Sequence, residues 1–355
     1  MYKSLRAQTL HYFARPHERI PLEPIVSPAA WRGEDVRKES AWRLRLGPAE
    51  VAELQAAVSH AQSRMQPLGL LTRADFPLPL LAARMQAWRA ELRHGRGFVL
   101  IQGVPVTGWS QAQSEIFFWG FGQHLGLPGA QNPQNDLLGH VRDQRTTEDA
   151  RFYRTAKAIA VHCDAADVVG LLCLLPARTG GLSRIASSVA VYNELLQRRP
   201  ELVARLFKPM YFDTHGEGGV RAFPVAPCRY AAGELRTFWQ SDYYRSAGRH
   251  PGIPKLTGEE HELLDAYDAI ANDPRFHLDM DLQPGDVQLV SNHTILHART
   301  AFEDWPEPER RRHLLRLWLS MPEQRPARVR WLTRRSLAGL VLTATRELAV
   351  ARLRA

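Results

Sequence analysis

The chain is poor in cysteine and in lysine, and it has no long apolar run. Its three cysteines, Cys163, Cys173 and Cys228, are odd in number and show no CxxC spacing. That argues against a disulfide framework and favours a reducing, cytoplasmic setting. The N-terminal stretch Met1-Tyr2-Lys3-Ser4-Leu5-Arg6 has no apolar core of the kind that heads a secretory signal. The richest apolar run, 168–175, is far too short to span a bilayer and reads as a buried strand. No membrane partner is expected, no repeat or low-complexity tract is visible, and the sequence leaves oligomeric state open.

Acidic residues are the scarcer sign: 46 Lys and Arg against 37 Asp and Glu give a net charge of +9 and a pI near 9.8. Such a balance invites a nucleic-acid reading. The basic residues are almost all arginine, however, and they spread along the chain, with clusters at 310–316 and 325–335. No finger, basic zipper or recognition helix accompanies them, so a small-molecule substrate is the expected partner rather than nucleic acid.

What is present is the composition of a globular protein, 45% hydrophobic and 23% charged, with 24 Gly and 24 Pro to make many turns. Residues 1 to about 45 are rich in Pro and Arg and read as a surface wrap. Apolar spacing predicts helices over 48–65, 79–94, 108–125 and 189–206. Another starts at Thr257, where Glu260 completes a capping box, and runs to about Asn272. Strands are expected at 98–101, 158–162, 168–175, 286–291 and 314–320. The pattern fits an α+β fold with a mainly β core, a double-stranded β-helix or jelly-roll barrel with flanking helices. One domain is expected over 1–325, with an N-terminal helical part (1–96), followed by a basic C-terminal helical extension over 326–355.

Two imidazoles and one carboxylate on one face of an octahedron leave open positions on an iron(II) ion, which is the ligand set of non-haem iron oxygenases. In a strand, residues i and i+2 point the same way, so His162 and Asp164 can converge while Cys163 points away. A lone His-x-Asp is weak, and the chain holds a second one, His277-Leu278-Asp279, that reads as a surface or strand-edge pair. The bland alternative for His162 is a satisfied, partly buried histidine. Downstream, Pro284-Gly285-Asp286 leads into an apolar strand and then Asn292-His293-Thr294-Ile295-Leu296-His297-Ala298-Arg299. Fifteen positions after His297 stands Arg312, at the head of another apolar strand. A guanidinium there is costly to bury without a partner, and a bidentate carboxylate is the natural one.

In order, His162-Cys163-Asp164, Gly180-Gly181-Leu182-Ser183, Gly285-Asp286, Asn292 to Arg299 and Arg312-His313-Leu314 resemble the taurine dioxygenase-like (TauD/TfdA) group of Fe(II)/2-oxoglutarate-dependent dioxygenases. The resemblance runs from about Gly97 to Ser320. It implies that His162, Asp164 and His297 bind iron and that 2-oxoglutarate and dioxygen are co-substrates. It further implies that Arg312 and Ser183 hold the far end of 2-oxoglutarate, with succinate and carbon dioxide released. Arg316, at i+4 from Arg312, matches a position where some members bind an anionic substrate group.

His293 is the alternative to His297 and fits the motif register less well. Arg299 reads either as a contact to substrate or co-substrate or as an ion pair with Asp286 or Glu303. Asp167 reads as an acceptor orienting His162 or as a solvated turn residue, and His313 as packing beside Arg312. Gln131-Asn132 and 136–143 sit where a lid is often found. Tyr153-Arg154-Thr155 and the aromatic run from Phe238-Trp239 to Tyr243-Tyr244-Arg245 read as pocket lining or core.

Overall fold

The computed structural model describes residues 4–143, 156–215 and 220–321. Two sheets face each other. Their strands in chain order are β1 (Arg43–Arg45), β2 (Phe98–Gln102), β3 (Leu127–Gly129), β4 (Gly139–Val141), β5 (Ile159–His162) and β6 (Val168–Leu175). There follow β7 (Ser183–Ser187), β8 (His277–Met280), β9 (Val287–Ser291), β10 (Ile295–Arg299) and β11 (His313–Ser320). The larger sheet runs β1-β2-β9-β6-β11-β3, with β4 also paired to β11, and the smaller runs β8-β7-β10-β5. All these pairs are antiparallel except β1 with β2.

The central strands of the larger sheet are covered on both faces, which is why they read as continuous apolar runs. One face, with Leu172, Leu289, Leu315 and Leu317, packs under helices α2 (Pro48–Ser63), α3 (Ala82–His94) and α4 (Gln111–Leu125). The other face, with Val169, Val290 and Leu314, meets Ile185, Leu278 and Ile295 of the smaller sheet inside the barrel. Helices α5 (Ser188–Arg198) and α6 (Gly258–Asn272) cover the outside of the smaller sheet through Leu195, Leu263 and Tyr267. At the start of α6 the Glu260 amide donates to the Thr257 hydroxyl at 3.2 Å and the Thr257 amide to the Glu260 carboxylate at 2.7 Å.

Three expectations change. The helix anticipated over 189–206 ends at Arg198, because Pro200 lacks an amide hydrogen and restarts the chain as a short separate turn, Pro200–Val203. The N-terminal segment does more than wrap: Gln8, His11 and Tyr12 of its helix (Leu5–Phe13) are buried, and β1 adds a parallel strand to the larger sheet. The region 136–143, placed where a lid is often found, is partly strand, with β4 paired to β11. The expected C-terminal helix over 326–355 and Tyr153-Arg154-Thr155 lie outside the described residues.

Candidate metal centre

The smaller sheet brings two histidines together. In the antiparallel pairing of β10 with β5, His297 stands directly opposite His162, so both side chains leave the same face of the sheet. Their rings lie 4.1 Å apart between centroids. Asp164 follows just beyond the end of β5, with a carboxylate oxygen 3.7 Å from His162 Nε2 and the other 3.8 Å from His297 Nε2. The candidate ligand atoms of His162, Asp164 and His297 all lie within 4.8 Å of one another, a convergence found at no other His, Cys, Asp or Glu group among the described residues.

Neighbouring groups orient and tune the candidate donors. His162 Nδ1 donates to the Ala160 carbonyl at 3.0 Å, which leaves Nε2 facing Asp164. His297 is pushed down to about 3, by burial first and then by His162, so it is neutral and able to ligate. Burial by itself would raise the Asp164 carboxyl, but Arg316, then His297 and His162, and the Trp318 indole outweigh it and hold the group below its ordinary value. Trp318 Nε1 donates to Asp164 Oδ2 at 2.9 Å, Arg316 approaches the same oxygen at 3.4 Å, and the Asp164 amide donates to Asn292 Oδ1 at 3.2 Å. Two imidazoles with one carboxylate are a donor set that fits iron(II).

The arginines separate into two places. Arg316 donates from Nε to Gln131 Oε1 at 2.8 Å and stands beside the Asp164 carboxylate. Arg312, the residue just before β11, is 5% exposed, and its NH1 is a buried donor with no hydrogen-bond partner among the described residues. Burial pushes its guanidinium down to about 10. Arg299 is likewise buried and pushed down to about 9, by burial first and then by Arg312. Both guanidinium groups lie against the Phe302 ring, at 4.7 Å for Arg299 and 5.2 Å for Arg312. Gly181, at φ +70°, passes so close that a Cβ there would sit 3.1 Å from Arg312 Nε. Ser183 stands opposite Arg299 in register and donates to Gln288 Oε1 at 2.8 Å.

Other expectations resolve plainly. His293 does not join the triad; its Nε2 is 2.8 Å from Asp167 Oδ1. Asp167 neither orients His162 nor faces solvent, being fully buried with donors from elsewhere in the fold. Arg299 forms neither anticipated ion pair: Asp286 accepts from Gln102 and from the Gln283 amide, Glu303 pairs with Arg178, and Arg299 donates to the Lys157 carbonyl. His313 turns away from Arg312 and meets His140 Nδ1 at 3.0 Å. His277 is a buried edge-strand residue, and Asp279 is taken by Arg184 at 2.7 Å. Phe238, Trp239 and Tyr244 are core, with Trp239 stacked on Tyr267 at 4.0 Å, and Arg245 pairs with Asp265. Gln131 is buried and reaches Arg316, while Asn132 ties its own loop to Asp136. Sequence reasoning missed Trp318 and Gln288; Trp318 shares the inward face of β11 with Arg316 two residues earlier, a period-two signal that was available.

Two buried histidines make stability depend on pH. His293 is pushed down to about 3 by burial, and His313 to about 3 by burial and then Arg142 and His140, from an ordinary value of 6.5. Their folded values are depressed, so the unfolded chain binds more protons between those limits, and stability falls as pH drops through the window. The thermal midpoint of metal-free protein is expected to decline steadily from pH 7 to pH 4, and His313→Gln to flatten part of that decline. A midpoint constant across the window would contradict this.

The fold and site together define a metal-dependent oxygenase barrel. The family model for "Taurine catabolism dioxygenase TauD, TfdA family" matches residues 63–318, and the chain belongs to this family. It is 31% identical over 318 residues to FR-33289 synthase of Streptomyces rubellomurinus, covering 85% of this chain and 92% of that protein. Asparagine oxygenase, solved with Fe(II), 2S,3S-3-hydroxyasparagine and succinate, shares the fold at TM-score 0.65 and 16% identity, covering 79% of this chain and 93% of the other. The non-heme iron oxygenase OrfP with Fe and alpha-ketoglutaric acid follows at 0.61 and 16%, covering 79% and 94%. The chain is an Fe(II)/2-oxoglutarate-dependent dioxygenase. Among the described residues no helix is long and apolar enough to cross a membrane.

Proposed function

We propose that His162, Asp164 and His297 hold the iron, that Arg312 anchors the far carboxylate of 2-oxoglutarate, and that the enzyme hydroxylates a C–H bond of a small anionic molecule. The observation that carries the co-substrate assignment is the buried Arg312 guanidinium with an unpartnered NH1. A buried charge of this kind is costly until a carboxylate meets it, and the planar fork of arginine takes one through two parallel hydrogen bonds. Arg299 shares the Phe302 ring with Arg312, so we assign it to the same co-substrate end rather than to substrate. Ser183 stands at the same end, and its hydroxyl proton, donated to Gln288 Oε1 here, would turn to the carboxylate when 2-oxoglutarate binds.

Iron(II) in such a triad, with 2-oxoglutarate and dioxygen, supplies the oxidising power to place one oxygen atom on carbon while 2-oxoglutarate leaves as succinate and carbon dioxide. The protein's part is positional. Trp318 and Arg316 both engage Oδ2 of Asp164, which would orient the carboxylate for a metal held with His162 and His297. Arg316 also brings positive charge to the metal's edge, which supports an anionic substrate group there. Three buried free cysteines suit a reducing compartment, and we place the enzyme in the cytoplasm.

Aerobic incubation with iron(II), 2-oxoglutarate and a panel of small carboxylates, sulfonates and amino acids is expected to yield succinate above background, stimulated by the true substrate. Metal-loaded protein that makes none across a broad panel would sink the proposal. Gly181→Ala is expected to press on Arg312 and raise the KM for 2-oxoglutarate about tenfold, the cost of one weakened hydrogen bond. Metal affinity should stay unchanged, as read by a metal titration alongside the kinetics.

A further inference from the structure

The turn that carries Asp164 is gripped from behind by polar side chains. Asp167, three residues on, is 0% exposed and accepts from His11 Nε2 at 2.6 Å, His293 Nε2 at 2.8 Å, the Met321 amide at 2.7 Å and the Arg15 guanidinium. Since the carboxylate can only accept, both histidines donate from Nε2. Gln8 donates to the Ala165 carbonyl at 3.2 Å and accepts from the Ser320 hydroxyl at 2.9 Å. Tyr12 donates to the Asn292 carbonyl at 2.8 Å and stacks on His293 at 4.8 Å, with the ring planes 8° apart. Asn292 closes the circuit: its side-chain oxygen takes the Asp164 amide, and its own amide donates to the Asp167 carbonyl at 3.0 Å.

Gln8, His11 and Tyr12 are spaced i, i+3 and i+4, the stripe a helix turns toward whatever it docks on, and Arg15 follows two residues past the helix end. A helix docked only for stability fills that stripe with Leu or Val, because polar groups lose their hydration on burial and at best recover it in hydrogen bonds. Apolar replacement of a buried charge cluster is often neutral or stabilising. What polar contacts add is geometry, since each has one permitted distance and direction. Here they converge on a single turn, and that turn ends at an iron ligand. The 291–294 loop on its other side leads straight into β10 and His297. Gln8, His11, Tyr12, Arg15, Ser320 and Met321 all fall outside the 63–318 span matched by the family model.

We propose that Asp167, with the polar face of the N-terminal helix and His293, is a positioning knot that sets the geometry and affinity of the iron site. This rests on the assignment of His162, Asp164 and His297 as ligands. Asp167 is a positioning residue: it acts on the metal through the Asp164 turn and through Asn292.

The test is titration of full-length protein with Co(II), following the visible ligand-field bands, beside the thermal midpoint of each variant. Asp167→Asn is expected to weaken Co(II) binding about 10- to 100-fold, the loss seen when outer partners of metal ligands are removed, and to shift the bands. His11→Leu separates positioning from stability. It is expected to lower the thermal midpoint, since Asp167 loses one of its donors, and to weaken Co(II) severalfold with shifted ligand-field bands, a spectral change that lost stability alone does not make. Wild-type affinity and spectrum in Asp167→Asn, or in His11→Leu should Asp167→Asn not fold, would overturn the knot. If wild-type protein binds no Co(II), or His297→Ala binds it as well as wild type, the ligand assignment fails first and takes the knot with it.

Discussion

His297→Ala is expected to lose the metal and to cut turnover by more than about a hundredfold, beyond what removal of a mere outer partner costs. The reason lies in the register of one strand pair. His297 and His162 are opposed across β10 and β5, and their side chains share a face with rings 4.1 Å apart. Removing one leaves a single imidazole and Asp164, too few donors to hold iron(II) against water. His277→Ala is the matched control. It deletes the histidine of the other His-x-Asp in the chain, and its partner Asp279 is already taken by Arg184. Bound iron, Co(II) affinity and succinate formation should all survive it. Full metal content in purified His297→Ala would remove that histidine from the site.

Arg312→Gln should raise the KM for 2-oxoglutarate on the order of a hundredfold to a thousandfold, as expected when one member of a buried, hydrogen-bonded charge pair is truncated. Metal affinity should hold, because Arg312 touches none of the three ligands. Arg312→Lys is not expected to rescue, since an ammonium offers a point charge where the site is shaped for a planar fork. The same residue predicts a stability effect of opposite sign. Without co-substrate its NH1 is buried and unpartnered, so Arg312→Met should raise the thermal midpoint of ligand-free protein. Added 2-oxoglutarate with metal should then stabilise wild type and not the variant. An Arg312→Gln enzyme with a wild-type KM would reassign the anchor.

Arg312, just before β11, and Arg316, within it, mark how far the chain could be read on its own. Arg312 and Arg316 share a face by strand periodicity, and both were legible as charges heading inward. Their different surroundings were not. Arg316 meets Gln131 and the Asp164 carboxylate, while Arg312 shares Phe302 with Arg299, and these neighbours arrive from separate parts of the chain. Asp167 is the sharper case. It sits three residues from a ligand in a turn that reads as solvated, yet it is sealed by His11, Arg15, His293 and Met321. The polar stripe of the N-terminal helix carried no apolar signal, so the segment read as a wrap.

The strands of the larger sheet were visible because both of their faces are buried, which leaves unbroken apolar runs such as Val168–Leu175. Strands β7, β8 and β10 were not, because they carry Ser, Arg, His and Asp into the site and along the sheet edge. From the sequence alone came the barrel class, the ordered motif from His162 to Arg312 and the preference for His297 over His293, because motif order and spacing are properties of the chain. Tertiary structure alone decided which charges meet. Burial, partner and direction depend on which strands and helices converge, and it is their convergence that joins His162 to His297 and ties Asp164 through its turn to the first helix.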